Sequence, residues 1–333
     1  MWRSGSTYLW SRFREAPDTY CYFEPLYAGL ARLTPERLNG PTWRDAVSDN
    51  RHPALSAPYY AEYAPLISGR GVKDYKRELS FHRYALEAGD RAPALQRYIQ
   101  TLLDQAAKED GTAVLGFNRS ALRLGWLKQT FDTYDVYIER DPALLWSSYM
   151  QHVEAGNYSY FINLLTIFEM NAASPLFAPL ASRLPLRRGV DRLIKRKHFY
   201  RMAVDRMPHE ISYALVLHMW MLGLLHGLTH CDVIVDTGLA TRPGYARDTS
   251  RAIAEGCGLQ IDLDGLRRVG PAASVSVRDR LAAERLIIDL FPHAAAGAYV
   301  DQAIVGDRLE QIAQSSAELL SKVMSKGTMR RAA

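Results

Sequence analysis

With 333 residues, 48% hydrophobic and 23% charged, the chain can bury a substantial core, which excludes a disordered or collagen-like polypeptide. A formal net charge of +5 favours anionic ligands, yet the basic residues form no long stripe of the kind a dedicated nucleic-acid binder carries. Three cysteines, Cys21, Cys231 and Cys257, make neither a disulfide framework nor a CxxC metal knuckle, so a reducing, cytoplasmic setting is expected.

Residues 1–7 lack an apolar h-region and predict no cleavable signal. Arg3-Ser4-Gly5-Ser6-Thr7-Tyr8-Leu9 has the composition of a loop that wraps an anion and then opens a helix. Gly5 lets backbone approach a phosphate, Ser6 and Thr7 offer hydroxyls and N-terminal amides, and Arg3 adds a charged fork. The second glycine and the lysine of GxxxxGK[ST] are absent. A short Ser/Gly/Thr run also serves as an ordinary helix cap.

Glu24-Pro25 closes a strand-like run, and residues 35–92 follow as an excursion rich in Pro, Tyr and Arg. Helical patterns at 94–108, 120–130 and 143–154 then alternate with short apolar runs at 113–117, 135–139 and 232–235. That alternation predicts an α/β fold with a parallel sheet flanked by helices on both faces. Asp141 is the expected N-cap of the third helix, with Pro142 at its first position, so Arg140 falls at the carboxyl end of a strand and Ser148 two turns along the helix.

A second excursion, 157–230, begins with a segment containing the basic cluster Arg187, Arg188, Arg192, Lys195, Arg196 and Lys197, read either as a solvated helix face or as a wall of the substrate cleft. Residues 211–228 carry no formal charge over a length that would just span a bilayer, but they include His218 and His226 and run at once into a strand, so a buried helix is expected rather than a membrane span. A helix near 246–256 and a surface helix at 307–324 with a solvated basic end complete the expected elements. With no internal repeat and no linker, 1–333 reads as one domain, with 35–92 and 157–230 as candidate walls of a substrate cleft.

The RSGSTxL loop and the strand-RDPxxxxSSY element resemble the two nucleotide-binding signatures of the sulfotransferases that use 3′-phosphoadenosine 5′-phosphosulfate. Tyr22-Phe23-Glu24-Pro25-Leu26 is similar to that family's second-strand element, and Phe117-Asn118-Arg119-Ser120, with Arg123 and Trp126 downstream, to the segment before its 3′-phosphate strand. The resemblance covers residues 1–270 and implies a P-loop-like fold with this nucleotide as co-substrate and no metal. It further implies that Arg3 contacts the 5′-phosphosulfate, that Ser4, Gly5, Ser6 and Thr7 wrap the 5′-phosphate, that Tyr8 stacks on adenine, and that Arg140 and Ser148 grip the 3′-phosphate. Two departures stand out. No hydrophobic strand precedes the phosphate loop, so either the start lies downstream of a first strand or a central strand is dispensed with. The family's late Arg-Lys-Gly element also has no clear match, leaving Arg278 or Arg280 as substitutes.

The implied enzyme is a sulfotransferase acting on a hydroxyl of a carbohydrate, glycolipid or small metabolite, with neither nucleic acid nor a membrane span involved. Arg3, the loop amides and Lys128 are the expected donors to the transferring group. Glu24 is the expected general base, with His52 and His82 in reserve, because the family's histidine position falls near Asn118 and asparagine cannot accept a proton. The tyrosines of 58–63 and 75–84 suit stacking on an acceptor ring or packing of the excursion. The alternatives are an inactive nucleotide-binding relative and a P-loop kinase, the latter disfavoured by the missing lysine.

Overall fold

Short β-branched and aromatic runs become strands here and longer amphipathic runs become helices. The computed structural model describes residues 2–38, 55, 57–267, 275–295 and 302–331, with backbone alone for 319, 320 and 322–331. The elements are, in order, α1 (Ser6–Arg14), β1 (Thr19–Phe23), α2 (Pro35–Leu38), α3 (Pro93–Lys108), β2 (Thr112–Gly116), α4 (Leu124–Phe131), β3 (Val136–Glu139) and α5 (Pro142–Glu154). There follow α6 (Ser159–Met170), α7 (Ala178–Ala181), α8 (Arg196–Asp205), α9 (His209–His230), β4 (Val233–Asp236), α10 (Tyr245–Cys257), α11 (Val277–Ala295) and α12 (Gln302–Arg331). His52 and most of 39–56 lie outside the described residues.

The chain divides into two compact units, one comprising Met1–Arg140 with His226–Arg268 and the other Asp141–Leu225 with Val269–Ala333. The first unit is α/β. Its strands are all parallel: β1 pairs with β2 from Thr19 opposite Thr112 to Phe23 opposite Gly116, and β3 pairs with β4 from Val136 opposite Val233 to Glu139 opposite Asp236. Among the described residues these are two separate two-stranded sheets, where the alternation had suggested a single one.

Period-2 alternation sends the side chains of β1 into two cores. Tyr22 joins Leu95, Tyr98, Ile99 and Leu102 of α3, while Cys21 and Phe23 join Leu9, Trp10 and Phe13 of α1. Gly116 is what lets α1 sit down on this sheet: a Cβ there would lie 2.7 Å from Cδ1 of Trp10, whose indole N–H donates to the Cys21 carbonyl at 3.3 Å. Tyrosines of the first excursion are mostly core. Tyr63 is fully buried and donates to the Phe23 carbonyl at 3.1 Å, and Tyr59, Tyr75 and Tyr84 are also buried. Arg123, itself buried, clips the excursion by donating to the carbonyls of Leu79 at 3.1 Å, His82 at 2.9 Å and Arg83 at 3.0 Å.

The second unit is helical among the described residues. Its core holds Phe161, Leu164 and Phe168 of α6, Phe177, Tyr200 of α8, Tyr213 and Leu217 of α9, and Phe291 of α11. Helix α9 contains the one apolar stretch, among the described residues, long enough to cross a bilayer, and 83% of that window is buried within the protein. His218, completely buried, pairs through Nε2 with the Leu176 carbonyl at 2.7 Å between the rings of Phe168 and Phe291. Burial pushes its pKa down to about 4, so the ring is neutral. Helix α12 runs on to Arg331, past the solvated end expected near 324.

Candidate functional site

The carboxyl ends of parallel strands collect the chain's connections, and here they also collect its first loop. Arg3 and Gly5 both have positive φ, 64° and 105°, so the backbone turns sharply on either side of buried Ser4 before α1 begins. Gly5 is the N-cap of α1, no side chain caps the helix, and its first turn holds no acidic residue. The first amides of a helix have no partner within the helix and carry the positive end of its dipole, so this turn suits an anion.

Position is set by contacts to all four strand ends. A Cβ on Gly5 would meet Ile138 Cδ1 of β3 at 3.1 Å and Thr237 Cγ2, just beyond β4, at 3.8 Å. Arg140, next after β3, donates through Nη1 to the Arg3 carbonyl at 2.6 Å. Thr237 Oγ1 donates to the Glu139 carbonyl at 2.9 Å, joining the ends of β3 and β4. On the other ladder, Ser6 Oγ donates to Asn118 Oδ1 at 2.7 Å, and Asn118 Nδ2 donates to Glu24 Oε1 at 2.6 Å.

Glu24 follows β1 with φ of 43°, a conformation uncommon for a non-glycine residue. Its backbone N–H bonds the Gly116 carbonyl at 3.0 Å, and its second carboxylate oxygen pairs with Arg119 Nη1 at 2.9 Å. Arg119 is buried and stacks over the Trp2 ring at 4.7 Å and the Tyr27 ring at 5.8 Å. Tyr27, 40% exposed, lies parallel to Tyr60 at 5.8 Å, leaving a partly open aromatic pair beside the carboxylate. Burial, reinforced by the Glu24 charge, raises the Tyr60 phenol well above its ordinary range.

The first unit therefore brings together Arg3, Ser4, Gly5, Ser6, Glu24 and Arg140, with Thr7 and Tyr8 in the first turn of α1. Tyr8 is half-buried, its hydroxyl donates to the Asp264 carbonyl at 2.9 Å, and burial raises its pKa. Ser148 is buried two turns into α5, which Asp141 caps by accepting from the Ala143 and Leu144 amides, and belongs to the second unit. Arg280, also of the second unit, donates to Glu284 at 2.7 Å, and Arg278 is exposed.

Lys128 does not join the site. Its ammonium pairs with both oxygens of Asp232 at 2.7 Å, and Asp232 also accepts from the Asp135 amide, which places the pair at the amino ends of β3 and β4, opposite the loop. His82 is an exposed turn residue whose carbonyl serves Arg123. Cys21 is buried, which lifts its thiol to about 12 and leaves it inert. Among the described residues no three His, Cys, Asp or Glu converge as metal ligands. A depression of about 360 Å³ between β4 and α10, lined by Val233, Ile234, Arg242 and Tyr245, is separate from the loop.

The Asn118 and Arg119 contacts to Glu24, and Trp2 beneath Arg119, were not legible as a unit in the sequence, although Phe117-Asn118-Arg119-Ser120 marked the segment. No protein-family model, curated protein or solved structure matches this chain.

Proposed function

We propose that the chain is a sulfotransferase that moves a sulfuryl group from 3′-phosphoadenosine 5′-phosphosulfate to a hydroxyl of a carbohydrate, glycolipid or small metabolite, on a P-loop-like fold. The observation that carries this reading is the convergence of an uncapped helix N-terminus, two arginines and a carboxylate at the carboxyl ends of four parallel strands. Arg3, Ser4, Gly5, Ser6 and Thr7 fit the 5′-phosphate, since they turn the chain at positive φ into the side-chain-uncapped N-terminus of α1, whose first amides suit an anion. Arg140, already bonded to the Arg3 carbonyl, fits the 3′-phosphate. Tyr8 is assigned to the adenine.

The nucleotide supplies the sulfuryl group and a 5′-phosphate leaving group. Glu24 takes the proton from the acceptor hydroxyl as oxygen attacks sulfur. Asn118 and Arg119 hold the two carboxylate oxygens and so fix the direction of their remaining lone pairs, while Tyr27 and Tyr60 offer the acceptor an aromatic surface. Arg3 and the α1 amides meet charge that grows on the transferring group.

A second reading, nucleotide binding without turnover, draws on the same pairing, because a carboxylate held at both oxygens also serves as a strand-end tie. Titration calorimetry of the full chain with 3′-phosphoadenosine 5′-phosphate, beside ADP as the ligand lacking the 3′-phosphate, tests the donor site common to both. A charge-assisted hydrogen bond contributes about 1.5–3 kcal/mol, so Arg140→Ala is expected to weaken the 3′-phosphorylated nucleotide by about 10- to 150-fold and ADP by less, through the lost bond to the Arg3 carbonyl alone. Equal affinity for the two nucleotides in the unaltered chain would remove the assignment.

A further inference from the structure

Val190 and Leu193 are the two most exposed large hydrophobic residues among those described, at 79% and 88%, and they share one short turn of the helical unit. Gly189–Leu193 forms a single 3₁₀ turn with no buried residue. Side chains three apart eclipse in that geometry, so Val190 and Leu193 project on one side. The neck of the turn is clasped. Arg187, buried at the entry, donates to the Ile194 carbonyl at 2.9 Å at the exit, and pairs with Glu169 of α6 at 2.9 Å. Glu169 also receives Arg196 Nε at 3.1 Å and the Tyr200 hydroxyl at 2.7 Å, both from α8.

That clasp sorts the basic cluster into two classes. Arg187 and Arg196 serve Glu169, whereas Arg183, Arg188, Arg192, Lys195 and Lys197 are exposed around the turn. Asp191 is the sole acidic residue in 183–204. Two aliphatic side chains at a tip, ringed by cations, match the layering of an anionic bilayer, where negative headgroups lie above hydrocarbon. The tip has no aromatic residue between 187 and 198 on which a nucleic-acid base could stack.

We propose that the Gly189–Leu193 turn is a membrane-docking tip that buries Val190 and Leu193 in the interface of an anionic lipid bilayer while the surrounding Arg and Lys side chains engage the headgroups. This is peripheral attachment, not a span, and it stands independently of the nucleotide reading.

Co-sedimentation of the full chain with vesicles tests it, using phosphatidylcholine alone and phosphatidylcholine with 30% phosphatidylglycerol at about 0.1 M salt, where charges within roughly 10 Å still act. Binding at least tenfold tighter to the anionic vesicles is expected. The double variant Val190→Asp, Leu193→Asp should lose at least tenfold of it, and Arg192→Ala, Lys195→Ala should weaken it and flatten its salt dependence. Because the tip side chains are so exposed, thermal unfolding of all variants should match the unaltered chain, and this is measured alongside. Absence of sedimentation, or sedimentation insensitive to the aspartate pair, would overturn the proposal. So would a DNA duplex that binds the tip and displaces it from vesicles.

Discussion

Lowering the pH from 7 to 5 should destabilise this protein through two histidines that the fold keeps neutral. His218 is fully buried in the helical unit, and His226 is 1% exposed in the α/β unit with neither ring nitrogen hydrogen-bonded. Burial lowers both from the ordinary 6.5 to about 4, the charge of His230 adding to the effect at His226. Between those values the unfolded chain binds protons that the folded chain refuses, so stability is full above pH 6.5 and is lost as pH falls toward 4. From pH 7 to 5 each histidine accounts for about 2 kcal/mol. Carboxylates contribute elsewhere or oppose. Glu169 is pulled up by burial but held lower on balance by Arg187, Tyr200 and Arg196, so its contribution is lost only below about pH 4.5. Glu62 and Asp135, raised by burial, gain stability on acidification and blunt the slope. The clean measurement is therefore a difference: urea unfolding at pH 7, 6 and 5 for the unaltered chain and for His218→Gln, whose amide can donate to the Leu176 carbonyl without titrating. The variant should lose about 2 kcal/mol less over this range. The same pH slope in both proteins would refute the reasoning.

Glu24→Gln should abolish sulfuryl transfer while leaving nucleotide affinity within twofold by calorimetry; retained turnover would exclude Glu24 as the base and favour its role as a tie between β1 and β2. Gly5→Ala forces a Cβ to 3.1 Å from Ile138 Cδ1 at a φ of 105°, at a cost of about 1–2 kcal/mol, and should lower affinity for the 3′-phosphorylated nucleotide at least tenfold, read by the same titration. Arg123→Leu strips donors from the carbonyls of Leu79, His82 and Arg83, and should reduce stability by about 3 kcal/mol in urea unfolding.

Periodicity made the helices α3, α4, α5, α9 and α10 and the strands β2, β3 and β4 readable, because each is a local pattern of apolar spacing with its own stop signals. The Asp141-Pro142 start of α5 is a case where cap chemistry alone located the boundary. Helices α6, α8 and α11 were less visible. Residues 157–206 mix aromatic, small and basic residues, and it is packing against one another that makes α6 and α8 helical. The same dependence on tertiary contacts governs the site. The turn into α1 could be read from seven consecutive residues, but Asn118 bridging Ser6 to Glu24 joins positions 112 and 94 residues apart. Lys128 was misplaced for the same reason: Asp232, its partner, is 104 residues away. The basic cluster is the plainest example, since nothing in RRGVDRLIKRK distinguishes the arginines held by Glu169 from those left in water.

Gly116 carries a consequence for anyone redesigning the loop that opens α1. The depth to which α1 settles on β2 is a dimension set by the missing side chain under Trp10, and the helix carries its first-turn amides with it. The distance between those amides and the strand ends is thus controlled by the last residue of β2, outside the loop itself. Replacing loop residues alters which groups are offered to a ligand; replacing Gly116 would alter where all of them stand at once. Libraries that vary this loop should hold Gly116 and Trp10 constant as a pair, or vary them together as a spacer between α1 and the sheet.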